Sequence, residues 1–183
     1  MVRGRVATRH EEFDQIFNLH HAYVYHMVYG LLGHAQDAED VTQEVFVRVY
    51  KALPAYQAER ASLRTWLARI VLNACHTHRR RNLLRRLWQR NADPSTTEED
   101  AGPTDLTRWG MPEDQALQTE LRYTIKRALD RLQPEYRTVL VLHYYSELSC
   151  PEIAHILDCP EGTVYSRLHR GRRLLRAELA PRA

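Results

Sequence analysis

Apolar residues recur at helix spacing along almost the whole chain, and no stretch alternates as a strand does. A period near 3.6 buries one face of a helix, whereas a half-buried strand needs a period of two. There is also no Asn-Gly or Asp-Gly pair to turn a hairpin. These features restrict the chain to an all-α fold. The pattern breaks across 91–112, NADPSTTEEDAGPTDLTRWGMP, which holds three Pro and two Gly and no periodicity. Connections inside compact domains are rarely so long. The chain is therefore predicted to form two small helical domains joined by a flexible linker, with little contact between them.

Before the break, Phe13, Ile16, Phe17, Tyr23, Val24, Met27, Val28 and Leu31 make one stripe that ends at Gly33. A second helix over 37–53 places Ala38, Val41, Val45, Val49 and Ala52 on one face, and Pro54 stops it. Ser62 is a candidate N-cap for a third, with Leu63, Trp66, Leu67, Ile70, Val71 and Ala74 inward. After the break, Leu117, Leu121, Ile125, Ala128, Leu129 and Leu132 form the next stripe. Pro134 can open a helix carrying Tyr136, Val139, Leu140 and Leu142. Ser149 and Glu152 have the spacing of a capping box. A last helix is expected from about Glu161 toward Leu179.

Of 183 residues, 44% are hydrophobic and 27% charged, which excludes collagen-like and wholly disordered chains. No apolar run approaches the roughly 20 residues of a membrane span. The N-terminus, MVRGRVATRHEEFDQIF, lacks the apolar core of a signal peptide. A cytoplasmic protein without membrane insertion is expected. Three Cys, an odd number, argue against a disulfide framework. Charge is segregated. Eight Arg and no acid lie between Arg64 and Arg90, and five acids and no base between Asp93 and Asp105. From Gly162 onward there are six Arg against Glu178. Two Arg-rich blocks on helices suit contact with a phosphate backbone.

Residues 149–170, SCPEIAHILDCPEGTVYSRLHR, have the spacing of a helix-turn-helix. Ala154 is small where the second helix approaches, and Leu157, Val164 and Leu168 supply contacts between the helices. Asp158 stands where many such motifs have Gly, and Asp tolerates the left-handed conformation better than most residues. Thr163, Ser166, Arg167 and Arg170 recur every three or four residues and are expected to face the major groove. Arg172, Arg173 and Arg176 continue the helix as a basic tail. In the first half, Asp40, Gln43 and Glu44 cluster beside the apolar stripe and suggest a polar docking face. Arg69, Asn73, Thr77 and Arg80 form a polar stripe on the third helix. Tyr56 and Trp66 lie near the Arg79-Arg80-Arg81 cluster, the ingredients for holding unpaired bases; Trp66 itself is expected in the core.

With these blocks in place, the chain resembles a family. DAEDVTQEVFVRVYKAL, SLRTWLARIVLN, RRR, and then EIAHILDCPEGTVYSRLHRGRRLL look like a sigma-70 initiation factor of the short, extracytoplasmic-function (ECF) type. The resemblance covers nearly the whole chain outside the first ten residues and the linker. It implies that 10–90 form sigma region 2, that 91–112 form an acidic flexible linker, and that 113–180 form sigma region 4. Asp40, Gln43, Glu44 and Phe46 would dock on the β′ clamp helices of core RNA polymerase, and region 4 on the β flap. Tyr56, Arg69, Asn73, Thr77, Arg80 and Arg81 would read the −10 promoter element as melted single strand. Thr163, Ser166, Arg167, Arg170 and Arg173 would bind the −35 element as duplex, Arg173 through phosphates. Thr77 departs from the family pattern, which often has an acid there. The acidic linker is similar to those that thread the polymerase cleft, where its charge mimics nascent RNA. An anti-sigma factor is an implied partner.

The alternative is a two-domain helix-turn-helix regulator that is not a sigma factor. It leaves the Asp40–Phe46 block and the Arg79–Arg81 cluster without a role. An enzyme is not expected: there is no Gly-rich phosphate loop, no zinc-ligand quartet and no nucleophile elbow. No catalytic residue, cofactor or metal is called for. Cys75-His76-Thr77-His78 is the nearest thing to a metal cluster, and Cys75 is expected to face the core.

Overall fold

The computed structural model describes residues 9–92 and 116–180. No strand occurs among them. In the first half, α1 (Arg9–Leu32), α2 (Ala35–Ala52) and α3 (Leu63–Ala92) pack on one another. Val24, Met27, Val28 and Leu31 of α1, Val41, Val45 and Val49 of α2, and Leu67, Ala68 and Val71 of α3 are all at most 1% exposed. Turns fix the ends of these helices. Gly33 takes φ 85 and its N–H donates to the Tyr29 carbonyl at 2.8 Å, a left-handed stop that glycine adopts without Cβ strain. The Ser62 hydroxyl accepts the Thr65 N–H at 3.2 Å and so caps the start of α3.

The second half comprises α4 (Ala116–Asp130), α5 (Pro134–Leu140), α6 (Cys150–Leu157) and α7 (Glu161–Leu179). Proline opens α5 at a position where a missing N–H costs nothing. A turn of π-helix, Val141–Tyr145, follows α5, closed by the Ser146 N–H on the Val141 carbonyl at 3.1 Å. The capping box is complete. The Ser149 hydroxyl accepts the Glu152 N–H, and the Glu152 carboxylate accepts the Ser149 N–H at 2.9 Å. Asp158 has φ 50 and ψ 54, the left-handed residue that the turn requires. Val164, Leu168 and Gly171 bury one face of α7. A side chain at 171 would press on Leu140 at 3.3 Å, so glycine sets how closely α7 approaches α5. The stripe expected on α4 is buried only at its end: Ala128 is 3% exposed but Leu121 is 60%.

The two halves are not separate. Their buried side chains form one continuous cluster, from Val24 to Leu168, which overturns the expectation of little contact. The reason is a set of side chains that a periodicity reading assigns elsewhere. Arg137, 8% exposed, donates to the Leu129 carbonyl at 2.8 Å and to the Asp130 carbonyl, and reaches the Leu31 carbonyl of α1 at 3.2 Å. The last carbonyls of a helix have no intrahelical donor and carry its negative dipole end. One guanidinium thus satisfies the C-terminal ends of α1 and α4 together. Burial pulls its pKa down from the ordinary arginine value, against the opposing pull of the Asp130 carboxylate. Arg79 of α3 also donates to the Leu31 carbonyl.

Of the segment 91–112, Asn91 and Ala92 belong to α3; the rest of the expected linker lies outside the described residues.

Candidate protein and nucleic-acid interfaces

The outer face of α2 is drawn by Gln36, Asp40, Gln43, Val47 and Lys51, all exposed and spaced by three or four residues. Asp40 and Gln43 therefore lie where the sequence reading places them. Glu44 sits at the edge: its carboxylate pairs with Arg48 at 2.6 Å and with Arg81 of α3 at 3.5 Å. Asp37 meets His78 at 3.2 Å, a second tie between α2 and α3. Phe46 is not part of this face. It is 4% exposed, against Phe17 and His21 of α1 with ring centroids 4.8 and 5.6 Å away. Helical geometry gives the reason: six residues on from Asp40 is about 240° round the helix, whereas seven is nearly two full turns. Val47, 53% exposed, is the apolar residue beside Asp40 and Gln43. Counting turns from Asp40 finds it.

On α3, Arg69, Asn73 and Arg80 are exposed along one face, with His76 among them and Thr77 half-buried. The Thr77 hydroxyl donates to the Asn73 carbonyl at 2.8 Å, so its hydrogen is committed to the backbone. Arg80 and Arg81 point out, but Arg79 turns in to Leu31. Tyr56 stands apart from the stripe, before α3. Its hydroxyl donates to the Ala61 carbonyl at 3.1 Å and its ring lies 4.9 Å from that of Trp66. Trp66 packs half-buried on the core. Beyond the core, α3 exposes Leu83, Leu84, Leu87 and Trp88 between arginines, a feature that its basic composition hides.

On α7 the outward ridge is Gly162, Ser166, His169 and Arg173, opposite Val164, Leu168 and Gly171. Arg170 is exposed beside it, with its guanidinium 5.5 Å from the Tyr136 ring centre. Thr163 and Arg167 fall on the flank, half-buried, and Arg167 pairs with Glu135 at 3.6 Å. The Ser166 hydroxyl donates to the Thr163 carbonyl at 2.9 Å. The expected shared face of Thr163, Ser166, Arg167 and Arg170 is thus split between ridge and flank. Tyr165 and His169 join the exposed surface, and neither carries the fixed charge that marks the arginines in the sequence.

Cys75 is 1% exposed, and burial pushes its thiol up to about 12, so it is a packing residue. All three cysteines are free thiols. Among the described residues no helix is long and apolar enough to cross a membrane, and no group of three or more His, Cys, Asp or Glu is gathered as metal ligands.

Comparison with known proteins matches both halves of the chain, in order. A model of Sigma-70 region 2 matches residues 16–85, and one of Sigma-70, region 4 matches residues 122–175. The ECF RNA polymerase sigma factor SigW of Bacillus subtilis is 35% identical over 176 residues, covering 92% of this chain and 89% of that protein. The RNA polymerase sigma-H factor of Pseudomonas aeruginosa is 35% identical over 164 residues, covering 85% and 82%. In fold, the chain is similar to the sigma factor RpoE of Bartonella quintana, solved with the anti-sigma factor NepR. The TM-score is 0.70 at 21% identity, over 92% of this chain and 96% of that one. It is also similar to CnrH, solved with the cytosolic domain of CnrY, with a TM-score of 0.61 at 24% identity over 91% and 86%. With both regions matched and relatives aligned over nearly their full length, the chain belongs to the ECF sigma factors of the sigma-70 family, the factors of transcription initiation.

Proposed function

We propose that this sigma factor binds core RNA polymerase through the outer face of α2, with Asp40, Gln43 and Val47 against the β′ clamp helices and the second half on the β flap. The polymerase is then directed by two DNA contacts. The outward ridge of α7 enters the major groove of the −35 element, with Ser166, His169, Arg170 and Arg173 at the DNA. The exposed stripe Arg69, Asn73, Arg80 and Arg81 on α3 holds the −10 element as melted strand, with Tyr56 and Trp66 as the neighbouring aromatics. Thr77 lies within this stripe with its hydroxyl bonded to the backbone, and it contributes shape rather than a donor.

The observation that carries this reading is the division of labour on the surface. The polar α2 face, the basic α3 stripe and the basic α7 ridge are three separate exposed faces. A regulator with one DNA-reading domain has no use for the first two. An anti-sigma factor is the expected negative regulator, by analogy with the complexes in which RpoE and CnrH were solved. The test is run-off transcription with core polymerase and mapping of the start sites. A shared pair of upstream elements supports the reading; no core-dependent initiation from any template refutes it.

A further inference from the structure

Past the core, α3 continues as an exposed helix end. Every residue from Leu83 to Trp88 is exposed, and the four apolar ones, Leu83, Leu84, Leu87 and Trp88, are 48–78% exposed. Among the described residues they join neither the core cluster nor the side chains packed against it. At 100° per residue, these four fall within about 140° of the helix circumference. Arg85 and Arg86 stand on either side, each about 130° from the centre of that face. Arg80 lies a turn earlier in line with the face, and Arg81 at its edge. No acid occurs between Arg64 and Arg90. The end of α3 is therefore a basic amphipathic helix whose apolar face has no cover.

An exposed apolar patch with a polar rim marks a contact with another protein or with a membrane. The charge around this one narrows the choice. A second copy of the chain answers the leucines but brings arginine against arginine. Nucleic acid answers the arginines through its phosphates, but three neighbouring leucines find no apolar layer on it. An anionic bilayer answers both. Its acyl boundary takes Leu side chains, its phosphates attract Arg, and Trp suits the headgroup level, being apolar with one polar N–H.

We propose that the end of α3 docks on the surface of a membrane rich in anionic phospholipid. Leu83, Leu84, Leu87 and Trp88 enter the boundary between headgroups and acyl chains, with the surrounding arginines at lipid phosphates. Arginine stems can lie along the apolar layer while their guanidinium groups stay at the phosphates. The attachment is peripheral. The apolar face is less than about two turns long and its flanks are charged, so the helix lies in the interface and does not cross it. The inference goes beyond promoter reading and does not depend on it.

The test is flotation of the full chain with vesicles of phosphatidylglycerol mixed with phosphatidylcholine, beside vesicles of phosphatidylcholine alone. The variants are the double substitution Leu84→Gln with Leu87→Gln, then Arg85→Gln, and Trp88→Phe. All four side chains are exposed, so the fold should tolerate these changes, and urea melts verify it. Arg69, Asn73 and Arg80 lie in line with the apolar face, so binding of a single-stranded oligonucleotide is measured for the same variants. Sedimentation velocity reads self-association.

The native chain should float with the anionic vesicles and not with the neutral ones. The double substitution should weaken that binding about ten-fold or more, and Arg85→Gln about five-fold at low salt. Tryptophan emission should shift to the blue on anionic vesicles, and Trp88→Phe should bind them while losing most of the shift. No flotation overturns the proposal, as does flotation that the double substitution leaves unchanged or that is equal on neutral lipid. If the double substitution instead weakens oligonucleotide binding or self-association and leaves vesicle binding unaltered, the face belongs to DNA or to a second copy, and the proposal fails.

Discussion

Arg137 is a buried polar residue whose removal should cost this fold several hydrogen bonds at once. Arg137→Met keeps the apolar stem and deletes the guanidinium. Three hydrogen bonds go, to the Leu129, Leu31 and Asp130 carbonyls, with the 3.4 Å ion pair to the Asp130 carboxylate. Charge-assisted bonds contribute about 1.5–3 kcal/mol each, but not all three are lost in full. Leu31 still accepts from Arg79, and Leu129 still accepts the Leu132 N–H at 3.0 Å. The Asp130 carbonyl loses the bond it takes from Arg137, which alone costs about 1–3 kcal/mol. Relief from burying the charge offsets part of the remainder. The net expectation is a loss of about 2–4 kcal/mol. With both halves in one core the chain falls in the 150–250-residue class, where each kcal/mol moves the midpoint by about 2–4 °C. Thermal unfolding followed by far-UV circular dichroism should therefore show a fall of about 4–16 °C. Arg131→Met is the control, since among the described residues Arg131 pairs on the exposed surface, with Glu178 at 2.9 Å, a contribution of about 0–1 kcal/mol. Arg137→Lys should recover less than half of the loss, because a single ammonium does not span three carbonyls. A midpoint for Arg137→Met no lower than that of the control refutes the reasoning.

Three further outcomes are expected. On α2, Asp40→Arg and Val47→Asp should weaken core-polymerase binding about ten-fold or more and leave stability within about 0.5 kcal/mol, whereas Phe46→Ala should cost about 3–5 kcal/mol of stability; competition binding and urea melts separate the two. On α7, alanine at Arg170 should alter preference among single-base −35 variants by about 1–3 kcal/mol, alanine at Arg173 should lower affinity for all of them and reduce the salt slope by about 1, and Arg167→Ala should change preference least. At α6, hydrogen bonds from the Ser149 side chain, then its backbone, hold the Glu152 carboxyl below its ordinary pKa despite some burial. The lowered folded value means that this stabilisation is full above the ordinary carboxylate range and is lost as pH falls through the folded pKa. Ser149→Ala should thus cost about 1 kcal/mol at neutral pH, with the gap to the native chain narrowing in acid melts.

Local structure in this protein was legible in the residues because its causes are local. Gly33, Ser62, Pro134, the Ser149–Glu152 box and left-handed Asp158 act within four residues of themselves, and the structure shows each as the spacing requires. The buried ridge of α7 follows from its 3.6-residue period for the same reason. The faces of the candidate site were half legible. Asp40 and Gln43 stand outward as read, and the exchange of Phe46 for Val47 needed only the helix turn to be counted. The splitting of Arg167 from Arg170 did not follow from spacing, because it depends on Glu135 reaching the flank of α7 from the start of α5. The closure of the two halves was illegible. Arg137 and Leu31 are 106 residues apart, and an arginine in a helix reads as surface until two helix ends with unsatisfied carbonyls meet it. Periodicity reports which face of a helix is apolar. Only packing decides which buried polar group finds which partner, since that bond forms across the chain and leaves no repeat in it.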